Sequence, residues 1–168
     1  MNVFLQKAAP TEKNILRNLY SFYLHDLSAY SASLKTNSEG TFEFDAFDLI
    51  WEKEGLTPYF IKYNEELAGF LLLIEPPLAK RADYSINDFF LFNQYRRKGI
   101  GEEALRILWD EKPGSYYIVQ LSTNQKAVAF WKKIFQRFSL PFEETLGTED
   151  GEEIVSQIVS AEIIKELK

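Results

Sequence analysis

Asn93-Gln94-Tyr95-Arg96-Arg97-Lys98-Gly99-Ile100-Gly101 decides the reading of this chain. Upstream, Tyr84 to Phe92 is dense in apolar residues, as a strand covered on both faces would be. Downstream, Ile100 opens a helical pattern that runs to about Trp109. A helix start exposes unbonded N–H groups and about half a unit of positive charge. Glycines let successive amides curve round an anion without a Cβ in the way. With Arg96, Arg97 and Lys98 adjacent in a chain of net charge −6, the stretch reads as a pyrophosphate cradle. The plainer reading is a solvated basic turn whose glycines only permit tight packing. Gly-x-Gly-x-x-Gly is not met, because no glycine follows Gly101 at the required place. The P-loop ending Gly-Lys-Ser/Thr is also missing.

Working outward, residues 2–7 read as a short first strand. Thr11 is placed to cap a helix carrying Ile15, Leu16, Leu19, Tyr20, Tyr23, Leu24 and Leu27. Ser31 to Gly40 is a loop, and Phe42 to Trp51 reads as a second helix, capped by Asp45 and stopped by Gly55. Pro58–Tyr63 and Leu67–Ile74 form a hairpin about Asn64-Glu65-Glu66. After the cradle helix come a covered strand, Tyr116–Leu121, and a helix from Gln125 to about Phe135. Phe142–Leu146 and Glu153–Ser160 flank a turn containing Gly147 and Gly151. The order β-α-α-β-β-β-α-β-α-β-β mixes hairpins with crossover helices, so the class is α/β of the mixed α+β kind. No linker divides residues 1–168, and a single domain is expected.

The chain has no cysteine and one histidine, His25, which excludes disulfides, thiolate chemistry and a multi-histidine metal centre. No metal is expected. The acidic charge argues against nucleic acid and weakly favours a cationic partner. No apolar run reads as a signal peptide or membrane span, so a cytoplasmic location without membrane association is expected.

Arg96-Arg97-Lys98-Gly99-Ile100-Gly101 meets the pattern Arg/Gln-x-x-Gly-x-Gly/Ala, and on it the chain resembles the GNAT superfamily of N-acetyltransferases. A second block agrees: Asn124 at a strand end, then Ala127 and Phe130-Trp131 on the next helix. Tyr23-Leu24-His25-Asp26-Leu27-Ser28 with Asp88-Phe89-Phe90 is similar to a bacterial subgroup of predicted acetyltransferases. The commoner form of the motif has glycine where this chain has Arg97. The resemblance implies a central mixed sheet of about seven strands flanked by about four helices. It implies acetyl-CoA as cosubstrate and a primary amine, of a small molecule or a protein, as acceptor. It also implies that the fourth and fifth strands splay, with the backbone of Leu91 and Phe92 bonding the pantetheine arm. Arg96, Arg97, Lys98, Gly99, Ile100 and Gly101 would hold the pyrophosphate, Asn124 would bond the arm from the other side, and Phe130 would help line the thioester end. Relatives are often homodimers, which leaves that state open.

Acyl transfer to an amine needs the amine neutral, and a lysine-like amine, with a pKa near 10.4, is about 4–5 kcal/mol short of that at neutral pH. Asp88 is the leading base. Period-two alternation puts it on a face with Ile86, Phe90 and Phe92, where a carboxylate must be paired or functional. The structural alternative is an Asp held by neighbouring backbone or by Arg81. Asp26 and Glu75 are further candidates, His25 reads as structural, and Tyr20, Phe22 and Tyr23 read as core or pocket wall. Many relatives place a tyrosine acid where this chain has Trp131, whose indole N–H is no usable acid. Trp131 is therefore expected to wall the acyl pocket, with Tyr84, Tyr95 or solvent supplying the proton. The same tryptophan sustains an alternative reading, a non-catalytic acyl-CoA-binding or regulatory domain.

Overall fold

The computed structural model describes residues 1–162. Its seven strands are β1 (Val3–Lys7), β2 (Leu56–Tyr63), β3 (Glu66–Ile74), β4 (Tyr84–Leu91), β5 (Ser115–Leu121), β6 (Phe142–Glu149) and β7 (Glu152–Ser160). They form one sheet in the order β1-β2-β3-β4-β5-β7-β6. Every neighbouring pair is antiparallel except β4–β5, which is parallel. The helices are α1 (Lys13–Leu27), α2 (Leu49–Glu52), α3 (Ile100–Glu111) and α4 (Gln125–Arg137).

Two apolar layers sandwich the sheet. Leu16, Leu19 and Tyr20 of α1 and Ile50 of α2 pack on Phe60, Phe70, Leu72 and Phe90. On the other face Leu105, Leu108 and Trp109 of α3 and Trp131, Ile134 and Phe135 of α4 cover Leu71, Leu73, Ile86 and Ile118. Among the described residues no helix is long and apolar enough to cross a membrane.

Several sequence expectations are corrected. Thr11 does not cap α1: Pro10–Glu12 forms a 3-10 turn, and Glu12 sits at the helix start, its carboxylate accepting the Ala9 N–H at 3.0 Å. The second helix is one turn, not ten residues. Its expected first half is held by rings instead, with Phe44 stacked 4.7 Å from Tyr20, and the residue at the helix start is Asp48, not Asp45. The last hairpin turns at Asp150-Gly151, both with positive φ, so Gly147 lies within β6.

The most consequential correction concerns β4. Leu72 faces Asp88 and Leu73 faces Ile86, so Asn87 is an extra residue, a β-bulge. The bulge breaks the alternation. Asp88 and Phe90 face α1, whereas Ile86 joins the opposite layer with Leu91.

Strands β3 and β4 approach each other very closely at Gly69, where an added Cβ would lie 1.9 Å from the Phe90 carbonyl oxygen. Backbone on both sides prevents relief by a rotamer change. Gly69→Ala should therefore cost about 3 kcal/mol or more, at the upper end for overpacking. A denaturant midpoint that falls accordingly, at unchanged slope, would show it.

Candidate active site

The parallel pairing of β4 and β5 covers only Tyr84–Ile86 against Tyr116–Ile118. Beyond it the strands part around a cleft of about 420 Å³. Its walls come from α1 (Tyr23, Leu24, Leu27), the loop after it (Ser31, Ser33), β4 (Asn87, Asp88, Phe89), β5 (Gln120), α4 (Asn124, Trp131) and the β6–β7 turn. Four carboxylates line it, Asp88, Glu149, Asp150 and Glu152, and among the described lining residues there is no lysine or arginine.

Asp88 is 9% exposed. Its Oδ2 accepts the Tyr20 hydroxyl at 2.7 Å and the Asn87 amide at 2.9 Å. Burial raises its pKa above the usual carboxylate range, and the hydrogen bonds of Tyr20, Asn87 and Tyr23 only partly offset this. Burial, reinforced by the nearby Asp88 charge, likewise raises both tyrosines well above an ordinary phenol. Asp88 is thus anchored by side chains and not by Arg81, which lies over the Tyr117 ring and bonds its hydroxyl.

The other candidate bases lie elsewhere. Glu75 sits beyond the closed end of the β4–β5 pairing, bonded to Thr57 at 2.6 Å and Lys112 at 2.8 Å. Burial works against its charge, but those partners outweigh it and lower its pKa, making it a poor proton acceptor. Asp26 is paired with Arg96 at 2.6 Å, and the His25 side chain is 73% exposed. Of the proposed acids, Tyr95 donates to Glu66 at 2.7 Å and Tyr84 stacks on Tyr116 at the closed end. Neither lines the cleft.

A 3-10 turn, Asn93–Tyr95, leads from β4 into the cradle. Arg97 has φ +61°, Gly99 has φ +79°, and α3 begins at Ile100. The left-handed turn at Arg97 explains why glycine suits that position; an arginine there costs about 1 kcal/mol. Among the described residues no side chain caps α3, so its first amides stay open to an anion. The acidic first turn does not oppose this freely, because Glu102 is paired with Arg137 and Glu103 with Arg106, each at 2.6 Å. Gly101 serves packing: a Cβ would press on Leu91 and Phe89 side chains at 3.2 Å. Arg97 and Lys98 are exposed. Arg96 is committed to the protein, donating to the Leu91 carbonyl at 2.7 Å as well as to Asp26.

Phe92 gives its N–H to the Ala68 carbonyl and takes the Tyr95 N–H, both at 2.9 Å, so its backbone is occupied. Alternation turns the main-chain groups of Phe89 and Leu91 to the side where β5 has departed. Across the gap, Asn124 caps α4 by accepting the Ala127 N–H at 3.2 Å and also lines the cleft. Phe130 stacks 5.7 Å from Phe89, and Trp131, 6% exposed, stands edge-on to Phe89 at 5.6 Å.

Sequence reasoning missed the Tyr20 and Asn87 contacts and the hairpin carboxylates. A signal for the first was available. A tyrosine on a buried helical stripe needs a partner for its hydroxyl, as a buried aspartate needs a donor.

The chain belongs to the acetyltransferase (GNAT) family, whose model matches residues 18–135, from α1 to α4. Solved structures share the fold. An acetyltransferase from Thermus thermophilus is 14% identical over 94% of this chain and 96% of that one, with TM-score 0.67. A spermidine N-acetyltransferase SpeG chimera from Vibrio cholerae and hSSAT is 13% identical over 98% and 99%, with TM-score 0.65. Diaminobutyrate acetyltransferase EctA from Paenibacillus lautus, in complex with its substrate and coenzyme A, is 15% identical over 95% of each chain, with TM-score 0.62. No curated protein sequence matches the chain.

Two outcomes are expected. Gly99→Glu adds negative charge and backbone strain at an uncapped helix start and should weaken CoA binding by about 2 kcal/mol, read by calorimetry. Trp131→Phe should keep most turnover, since the ring survives, whereas Trp131→Ala should destabilise by about 3–5 kcal/mol and admit longer acyl groups. Loss of turnover in a stable Trp131→Phe protein would show that the indole N–H is needed.

Proposed function

We propose that this chain is an N-acetyltransferase that moves an acetyl group from acetyl-CoA to a primary amine of a small molecule or protein. The observation that carries the reading is Asp88, a buried carboxylate with a raised pKa in the wall of the β4–β5 cleft. Its burial makes it a stronger proton acceptor than a surface aspartate, as deprotonation of an ammonium requires. A cleft whose described lining carries carboxylates and no lysine or arginine supports a positively charged acceptor.

The cradle fits CoA. Open α3 amides, Gly99 in a left-handed turn and the exposed Arg97 and Lys98 would hold the pyrophosphate. The turned-out N–H of Leu91, whose carbonyl is taken by Arg96, would meet the arm, with Asn124 across from it, its Nδ2 left over from capping. Phe130 and Trp131 would exclude water from the thioester end. When bound, acetyl-CoA supplies an activated acyl carbon. The protein's own part is to orient the amine, take its proton on Asp88 and keep the cleft dry.

A thioester-cleavage assay over a panel of mono- and diamines tests the reading. CoA binding without cleavage across the panel would support the non-catalytic alternative, which Trp131 in the position of the usual acid favours. Asp88→Asn should lower turnover by about 10²–10⁴ with CoA affinity intact. It should also stabilise the fold near neutral pH. A carboxyl with a raised folded pKa contributes stability below its unfolded value and loses it as pH rises through the folded one. An unfolding midpoint that drops, with turnover per folded molecule unchanged, would make Asp88 structural.

A further inference from the structure

Two of the three donors to Asp88, the Tyr20 hydroxyl and the Asn87 amide, converge on one oxygen, Oδ2, and Tyr23 supplies the third hydrogen bond. Tyr20 is itself immobilised. Its ring stacks on Phe44 at 4.7 Å, lies 4.6 Å from Phe70 and meets Phe47 edge-on at 6.1 Å. At 1% exposure it cannot touch a ligand in the cleft, whereas Asp88 lines that cleft. Asn87 reaches the same oxygen because it is the extra residue of the β4 bulge. Two donors from two elements on one oxygen, one of them the immobilised Tyr20, fix the plane of the carboxylate; with about four acceptor sites on a carboxylate, Oδ1 keeps room for a further partner beside Tyr23.

We infer that Tyr20 is a positioning residue for proton transfer: with Asn87 it clamps Asp88 through Oδ2, so that Oδ1 is presented to the acceptor amine. The inference rests on the reading of Asp88 as base. In the step, an N–H bond of the acceptor ammonium breaks, an O–H bond forms at Oδ1, and the proton later leaves through the open cleft. Tyr20 keeps its proton throughout, since burial holds its phenol well above working pH. Its hydrogen bond opposes the burial that would otherwise keep Asp88 protonated.

Among the described residues the groups facing the carboxylate are few. They are Tyr20 and Tyr23 from α1 and Asn87 from β4, with apolar Leu72 across in β3. Glu149, Asp150 and Glu152 line the same cleft, and Arg96 lies 5.5 Å over the neighbouring Phe90 ring.

The test is carbon-detected NMR titration of the Asp88 carboxyl in the wild-type protein and in Tyr20→Phe, which keeps the ring and loses only the hydroxyl. The midpoint should rise by about one pH unit. In parallel, kcat on an amine from the panel should fall about tenfold at neutral pH, with KM for acetyl-CoA unchanged. Asn87→Ala, at an exposed position, should move the midpoint the same way even if Tyr20→Phe folds poorly. Within an Asp88→Asn background, Tyr20→Phe should not lower turnover further. An unmoved midpoint in both single variants would overturn the inference. Full turnover in Asp88→Asn would overturn the base reading together with it. Loss in Asp88→Asn beside normal kcat and midpoint in Tyr20→Phe would sink the Tyr20 role alone.

Discussion

Strands β4 and β5 touch through three residue pairs and then separate, and the rest of the molecule is arranged around that separation. The cause is in their other neighbours. Strand β4 stays registered with β3 as far as Gly69 and Leu91, while β5 follows β7 to Leu121 and Ile154. Each half-sheet is complete within itself, and the bulge at Asn87 adds twist to β4 at the point where the halves diverge. A lengthwise gap then faces main-chain groups that a closed sheet would have consumed. The uncapped start of α3 stands at one end of β4, and α4 and α1 wall the gap from opposite faces. The carboxylate lies on β4 and the cradle follows that strand after one short 3-10 turn, which couples their positions without any moving part.

Within that gap the aromatic layer under α1 does two opposing things. Rings around Tyr20 supply cohesion, and they also remove water from the one carboxylate they surround. The fold tolerates this because the carboxylate is hydrogen-bonded, though burial still dominates its titration. Local optimisation would put a neutral residue there. A site kept against local stability is where function is expected to reside.

How much was legible in the sequence follows from which signals are local. The strand–turn–helix about Gly99, the first hairpin and both cradle-side helices are carried by spacing within a few residues, and they stand as read. Period-two counting from Ile86 to Asp88 failed because a bulge inserts a residue without altering composition. Phe42, Phe44 and Phe47 suggested a helix, yet their rings are recruited by α1 and the sheet, and that tertiary packing overrides the local pattern. The strand order could not be read, because β7 passes between β5 and β6. For the same reason the carboxylates of the last turn were not connected to the cleft. Arg96 counted as one of three phosphate-seeking cations, but a guanidinium beside an open carbonyl and a facing aspartate is consumed by them first.

Arg97 carries a further consequence. Every arginine codon is a single base away from a glycine codon, so a relaxed form of this loop is always one substitution distant. An arginine in a left-handed turn costs the loop strain that a glycine would not, and its exposed guanidinium is the part of it free to meet an anion. If the loop serves as an anion site, a lineage that lost the ligand would be free to exchange this strained arginine for glycine.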